Sequence, residues 1–219
     1  MAEKSKADLS GHTRVYGLAR VFARLVSHVL FPARYLHGER LRTLEAPAIL
    51  IANHQSWLDP LVIAAICPHE LRFLGKKELH EGKFAGYVMD HLHMIPVARH
   101  ETDLAAMRAC AKALRDGYVL AIFPEGTRHQ KEMMQEVETG SSLLALRSRV
   151  PLIPVYFDQK LRFLRRTDVL VGAPIDYADL CADGANMENA QKLDKRIHDR
   201  FYEMRAQVRS ANGKQGGST

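Results

Sequence analysis

Between residues 14 and 36 the apolar positions Val15, Leu18, Val21, Phe22, Leu25, Val26, Val29 and Leu30 recur mostly at intervals of three and four, the spacing of one helical face. Arginines and a histidine fill the positions between them, and Pro32 ends or bends the helix. From residue 48 the pattern changes to short, nearly uninterrupted apolar runs. It predicts strands at 48–52 (AILIA), 71–74 (LRFL), 93–97 (HMIPV), 118–123 (YVLAIF), 152–157 (LIPVYF) and 168–172 (DVLVG). Helices are predicted at 60–66, 84–91, 102–116, 139–148 and 187–208. Apolar strands alternating with helices indicate an α/β fold, a mixed central sheet covered by helices on both faces. Residues 1–12 and the stretch SANGKQGGST at 210–219 are polar and read as loose ends. The chain therefore divides into a basic amphipathic segment over 1–42, a domain over 43–209 and a flexible tail over 210–219.

Composition sharpens the first of these. With 219 residues, 47% of them hydrophobic, the chain suits one large α/β domain with an appendage. Of the formal net charge of +6, nearly all sits in residues 1–42, where eight Lys and Arg face three Asp and Glu. A basic arm calls for an anionic partner, membrane or nucleic acid. A basic helix with Leu, Val and Phe on its other face suits the membrane interface, and packing on its own domain is the alternative. No nucleic-acid motif with interleaved aromatics accompanies it, so no nucleic-acid partner is expected. Arg20, Arg24, His28 and Arg34 interrupt the segment, so no bilayer-spanning helix is expected, and no secretory signal is read at the start. Cys67, Cys110 and Cys181, odd in number and without CxxC spacing, read as buried thiols in a reducing compartment. His91, His93 and His100 lack a further ligand at recognisable spacing, and no metal is expected.

Two polar constellations follow predicted strands, where α/β folds place functional groups. The first is Asn53-His54-Gln55-Ser56-Trp57-Leu58-Asp59-Pro60. If the chain folds back after the strand, the Asp59 carboxylate meets one imidazole nitrogen of His54 and leaves the other outward as a base. Asp59 before Pro60 also reads as a helix N-cap, and Trp57 between them reads as a packing residue. The second is Phe123-Pro124-Glu125-Gly126-Thr127-Arg128, whose glycine permits an unusual turn and whose Thr and Arg add donors suited to phosphate. Met133-Met134 suits either an acyl pocket or loop packing.

Together these segments resemble the glycerophospholipid acyltransferase family, the 1-acylglycerol-3-phosphate acyltransferases of HxxxxD type. Gly75-Lys76-Lys77-Glu78-Leu79 with Ile95-Pro96-Val97-Ala98-Arg99 looks like the family's second block, and Val150 to Val155 (VPLIPV) like its fourth. The blocks run in order from about residue 48 to 172. The resemblance implies transfer of a fatty acyl group from a coenzyme A or acyl carrier protein thioester to the free hydroxyl of 1-acyl-glycerol-3-phosphate, giving phosphatidic acid, with no cofactor. It implies His54 as general base and Asp59 as its orienting partner. Glu125, Gly126, Thr127 and Arg128 would form the glycerol-phosphate site, with Lys77 and Arg99 adding positive charge. It also implies a peripheral, monotopic protein at the cytoplasmic face of the membrane, docked by the N-terminal segment. One departure bears on the acceptor: Glu138 stands where the family commonly has a basic residue, with Lys131 nearby. The alternatives are the same chemistry on another lysolipid or on glycerol-3-phosphate, and a non-catalytic lipid-binding protein.

Overall fold

The computed structural model describes residues 14–77, 94–97, 103–126, 133–134 and 137–215. Helix α1 (Arg14–Leu25) widens to a π turn over Val26–Leu30, and Pro32 stops it. Strand β1 (Ala33–Leu36) and the short α2 (Glu39–Arg42) follow. Then come β2 (Ala48–Ala52), α3 (Asp59–Ile66), β3 (Leu71–Lys76) and β4 (Ile95–Val97). The second half holds α4 (Leu104–Arg115), β5 (Val119–Ile122), α5 (Thr139–Ser148), β6 (Leu152–Phe157), β7 (Thr167–Val171), α6 (Ala178–Ala182) and α7 (Met187–Gln215).

The strands form a mixed sheet in the order β1-β7-β6-β2-β5-β3-β4. β2 to β6 run parallel, β7 runs antiparallel to β6, and β1 pairs parallel with β7. All five residues of β2 are buried, and their side chains alternate between two cores. Ile49 and Ile51 pack with α4, α5 and α7, whereas Ala48, Leu50 and Ala52 pack with α3. Burial on both faces is why these strands read as continuous apolar runs. From β2 the chain moves outward on one side to β3 and β4, and on the other to β6. The strand order thus reverses beside β2, and the crevice at the C-terminal ends of β2, β5 and β6 is where such sheets hold ligands.

The predicted elements shift at both ends. Residues 33–36, read as the end of a helix, form an edge strand of the sheet, paired with β7. Its four residues are too short a run to show strand alternation. The tail drawn from 210 is helical to Gln215, and Asn212 Nδ2 donates to Asp168. The helix predicted over 84–91 lies outside the described residues.

Candidate active site

Asn53 anchors the loop after β2. Fully buried, it donates through Nδ2 to the Phe157 carbonyl at 2.9 Å and accepts from the Phe157 N–H at 2.8 Å through Oδ1. This side chain continues the pairing of β2 with β6 one residue past the strand and fixes where His54 begins. An amide at the end of a buried strand is the signal that marks such a clamp in sequence, since a buried amide must find partners for both ends.

His54 then turns its ring to Asp59, with Nδ1 to Oδ2 at 2.9 Å, and packs it against Phe123 at 4.3 Å between ring centroids. The same Asp59 oxygen accepts the backbone N–H of Gln55 at 2.6 Å and of Ser56 at 2.7 Å. An oxygen that already accepts two N–H groups accepts the third hydrogen too, so Nδ1 carries the proton. Nε2 is left with no hydrogen-bond partner among the described residues and is the nitrogen able to take up a proton. Asp59 is fully buried, and its Oδ1 has no hydrogen-bond partner among the described residues. The N-cap expected at Asp59 is absent: Asp59 is itself the first residue of α3, and its carboxylate reaches back along the chain to Gln55 and Ser56. Ser56 Oγ accepts from the Leu58 N–H at 3.3 Å and belongs to the same turn. Trp57, expected to pack, is instead two-thirds exposed.

Glu125, after β5, is buried and turned inward. Its Oε2 accepts the His54 N–H at 3.0 Å, and its Oε1 accepts the Met134 N–H at 2.6 Å. It was expected among the phosphate ligands. A carboxylate would repel a phosphate, and both oxygens of this one bind backbone, so it works as a strut between the β2 and β5 loops. Gly126 stands at φ +61°, the left-handed region, and a Cβ built there would lie 2.5 Å from Glu138 Oε1. The backbone conformation calls for glycine there, whereas the Glu138 carboxylate, at the end of a flexible side chain, could swing aside. Glu138, in turn, donates its N–H to the Pro124 carbonyl at 2.8 Å and leads into α5. The carboxylate that departs from the family pattern therefore sits against the turn that opens the candidate phosphate site.

Lys77 is exposed at the end of β3, on the same sheet edge but two strands from β2, about 10 Å at ordinary strand spacing. Thr127, Arg128, Arg99 and Lys131 lie outside the described residues, as do His91, His93 and His100. Met133 and Met134 are buried in the main core, which favours loop packing over a flexible pocket. Among the described residues no three His, Cys, Asp or Glu side chains gather as a metal site. Burial pushes the Cys67 thiol up to about 11 and the Cys110 thiol to about 12, so neither is a nucleophile at neutral pH.

The arrangement is a histidine held by a buried carboxylate, its Nε2 unengaged by any described residue, at a sheet crevice. Comparison with known proteins agrees with it. A sequence model of the family described as Acyltransferase matches residues 33–158, more than half of the chain. The 1-acyl-sn-glycerol-3-phosphate acyltransferase of Bacillus subtilis is 24% identical over 162 residues, covering 71% of this chain and 80% of its own. The protein of the same name from Streptococcus pneumoniae is 26% identical, covering 78% and 66%. The human 1-acyl-sn-glycerol-3-phosphate acyltransferase alpha is 28% identical, covering 60% and 50%. The crystal structure of the 1-acyl-sn-glycerophosphate acyltransferase from Thermotoga maritima superposes with a TM-score of 0.69 at 20% identity, over 89% of this chain and 79% of that one, a likeness of fold. With the HxxxxD pair assembled at the sheet edge and the family match spanning both loops that build it, this chain belongs to the Acyltransferase family.

Proposed function

We propose that the chain transfers an acyl group from a coenzyme A or acyl carrier protein thioester to the free hydroxyl of 1-acyl-glycerol-3-phosphate, giving phosphatidic acid. The observation that carries the reading is the His54–Asp59 pair, with Nδ1 held at 2.9 Å and Nε2 unengaged. Nε2 removes the proton from the acceptor hydroxyl as its oxygen attacks the thioester carbonyl, and Asp59 stabilises the imidazolium that forms. The tetrahedral oxyanion collapses, the C–S bond breaks, and the leaving thiolate takes the proton back from Nε2. The substrate oxygen is the nucleophile, so no acyl-enzyme forms and no cofactor enters. Gly126, Thr127 and Arg128 receive the phosphate, with Lys77 and Arg99 adding charge and Glu125 holding the loop. The names of the curated relatives support this choice of acceptor.

The site acts at a membrane surface, peripherally and from the cytoplasmic side. No described helix is long and apolar enough to cross a membrane. In support, Leu18, Val21, Phe22, Leu25, Val29 and Leu30 leave their side chains exposed, Leu18 by 72%, while Tyr16, Ala23 and Val26 on the opposite face are buried. Not all of the arginines face outward as expected: Arg24 Nε donates to the Ala65 carbonyl at 3.0 Å and Arg20 to that of Pro68 at 3.1 Å. They cap the end of α3, where cations meet unpaired carbonyls.

Glu138 beside Gly126 favours a second reading, the same chemistry on a lysolipid whose head group is less anionic than a phosphomonoester. Incubating the purified protein with a panel of lysolipids and both thioesters, with products read by mass spectrometry, tests both. Conversion of 1-acyl-glycerol-3-phosphate that His54→Ala abolishes is the expected result. Conversion of phosphate-free lysolipids alone would replace the first reading by the second, and no conversion of any acceptor would overturn both.

A further inference from the structure

The loop between β6 and β7 departs from ordinary surface chemistry in two ways. Arg162-Phe163-Leu164-Arg165 forms a tight turn closed by the Arg165 N–H on the Arg162 carbonyl at 3.1 Å. The two tip positions, where turns usually carry Gly, Asn or Asp, hold Phe163 and Leu164, 61% and 62% exposed. Leu164 sits at φ +53°, a left-handed conformation that costs a branched side chain energy. Leu161 is buried and anchors the loop beneath them.

Around this apolar tip stand Lys160, Arg162, Arg165 and Arg166, all exposed, with no acidic residue between 159 and 166. Among the described residues none of the four makes an ion pair or a side-chain hydrogen bond, though the Arg166 charge is near enough to act on Asp168. The flanking acids are engaged elsewhere: Asp168 pairs with Arg34, and Asp158 accepts from the Tyr156 hydroxyl at 3.1 Å. The tip is also fastened to the helical segment before β1. The Leu164 N–H donates to the Leu30 carbonyl at 2.7 Å, and the Phe163 ring meets Phe31 edge-on at 6.1 Å. The exposed Val29 and Leu30 thus join Phe163 and Leu164, and the apolar face of α1 continues onto the loop. The loop leaves the C-terminal end of β6, the strand beside β2, so it lies on the His54 edge of the sheet.

We propose that residues 160–166 are a second membrane-docking element, with Phe163 and Leu164 entering the head-group region of an anionic lipid surface and Lys160, Arg162, Arg165 and Arg166 meeting its phosphates. Unpaired cations ringing an exposed apolar tip complement anionic lipid on both counts, and continuity with α1 makes the two elements one surface. The proposal rests on the membrane half of the functional reading and is independent of the acyl-transfer half.

The test is vesicle sedimentation of the full chain, with anionic phosphatidylglycerol vesicles against neutral phosphatidylcholine vesicles. The triple substitution Arg162→Gln, Arg165→Gln, Arg166→Gln is expected to weaken binding to the anionic vesicles about 100-fold at low salt. Phe163→Ser with Leu164→Ser is expected to weaken binding about tenfold at any salt, because apolar insertion is not screened. Turnover of a short-chain, water-soluble acceptor should stay within twofold in both variants. Vesicle binding within threefold of the parent would overturn the proposal. So would a parallel loss of soluble turnover, which would assign the loop to the active site, or displacement from vesicles by a duplex oligonucleotide, which would assign the cations to nucleic acid. Phe163→Trp in a Trp57→Phe background supplies a readout that needs neither loss nor activity. Its emission should shift to the blue on anionic vesicles, and an unshifted spectrum would overturn the insertion of the tip.

Discussion

The loops after β2 and β5 and the outer face of α1 break the usual rule of burial in opposite directions. In the first, Asn53, Asp59 and Glu125 are buried polar side chains, and their hydrogen bonds to His54 and to the neighbouring backbone hold one imidazole in place. In the second, Leu18, Phe22 and Leu25 are large apolar side chains left in water although the opposite face of the same helix packs on α3. Folding alone favours neither. Buried polar groups lower the gain from packing unless each is satisfied, and exposed leucines forgo burial worth about 1.5–3 kcal/mol each. On the proposed reading the first region serves chemistry and the second docking, and the two should fail independently.

The largest expected effect is at the base. His54→Ala should lower turnover by roughly 10²–10⁴-fold in steady-state assays while vesicle binding is unchanged. Loss of both together would merge the two regions into one. The reverse dissociation should follow from Leu18→Ser, Phe22→Ser and Leu25→Ser combined. Binding to anionic vesicles should fall on the order of 100-fold, while turnover of a soluble short-chain acceptor and the melting temperature hold, since these side chains are already in water. Glu125→Gln sharpens the first region. A glutamine must turn its NH₂ toward either the His54 or the Met134 N–H, so kcat should fall about tenfold, with KM for the thioester little changed and about 1–3 kcal/mol lost in denaturant unfolding. An altered KM for the phosphate-bearing acceptor alone would return Glu125 to the binding site.

Asp168→Asn should affect turnover least. Burial pushes the Asp168 carboxyl up, but the hydrogen bonds from Arg34 and Asn212 and the charges of Arg34 and Arg166 outweigh it and hold it below the usual carboxylate range. A depressed folded value adds stability above the unfolded value and loses it as pH falls through the folded one. The variant should therefore be about 2 kcal/mol less stable at pH 7, a gap that closes as the pH drops below about 4. A gap that widened in acid would overturn the sign.

The sheet was legible in sequence because its central strands are buried on both faces, so AILIA, VLAI and LIPVYF could be read from apolar content alone. β1 was not, because four residues after a proline carry no period and its pairing partner lies beyond residue 166. His54 and Asp59 were legible because a fixed spacing after a buried strand leaves few ways to fold back. The role of Glu125 was not, and for Asn53 the sequence marks a clamp without naming its partner. Both depend on which backbone N–H and carbonyl lies opposite, and sequence spacing does not encode that. The apolar period of α1 was plain, but period alone does not say which face meets the domain. Tyr16 decided it, its hydroxyl taking the Leu71 N–H and giving to the His69 carbonyl.

The edge formed by β1 and β7 also bears on the order in which the chain acquires its structure during synthesis. Arg34 and its partner Asp168 are 134 residues apart, and Arg34 reaches Asn212 across 178. At ordinary elongation rates β1 has no strand to pair with for about 7–27 s after it is made, while β2, β3 and β5 can already associate. Through that interval the apolar face of α1 is joined by the unpaired β1, and the nascent chain is at its most adhesive before its last strand arrives. Pulsed hydrogen exchange on stalled nascent chains should find the β1 amides unprotected until β7 has left the ribosome.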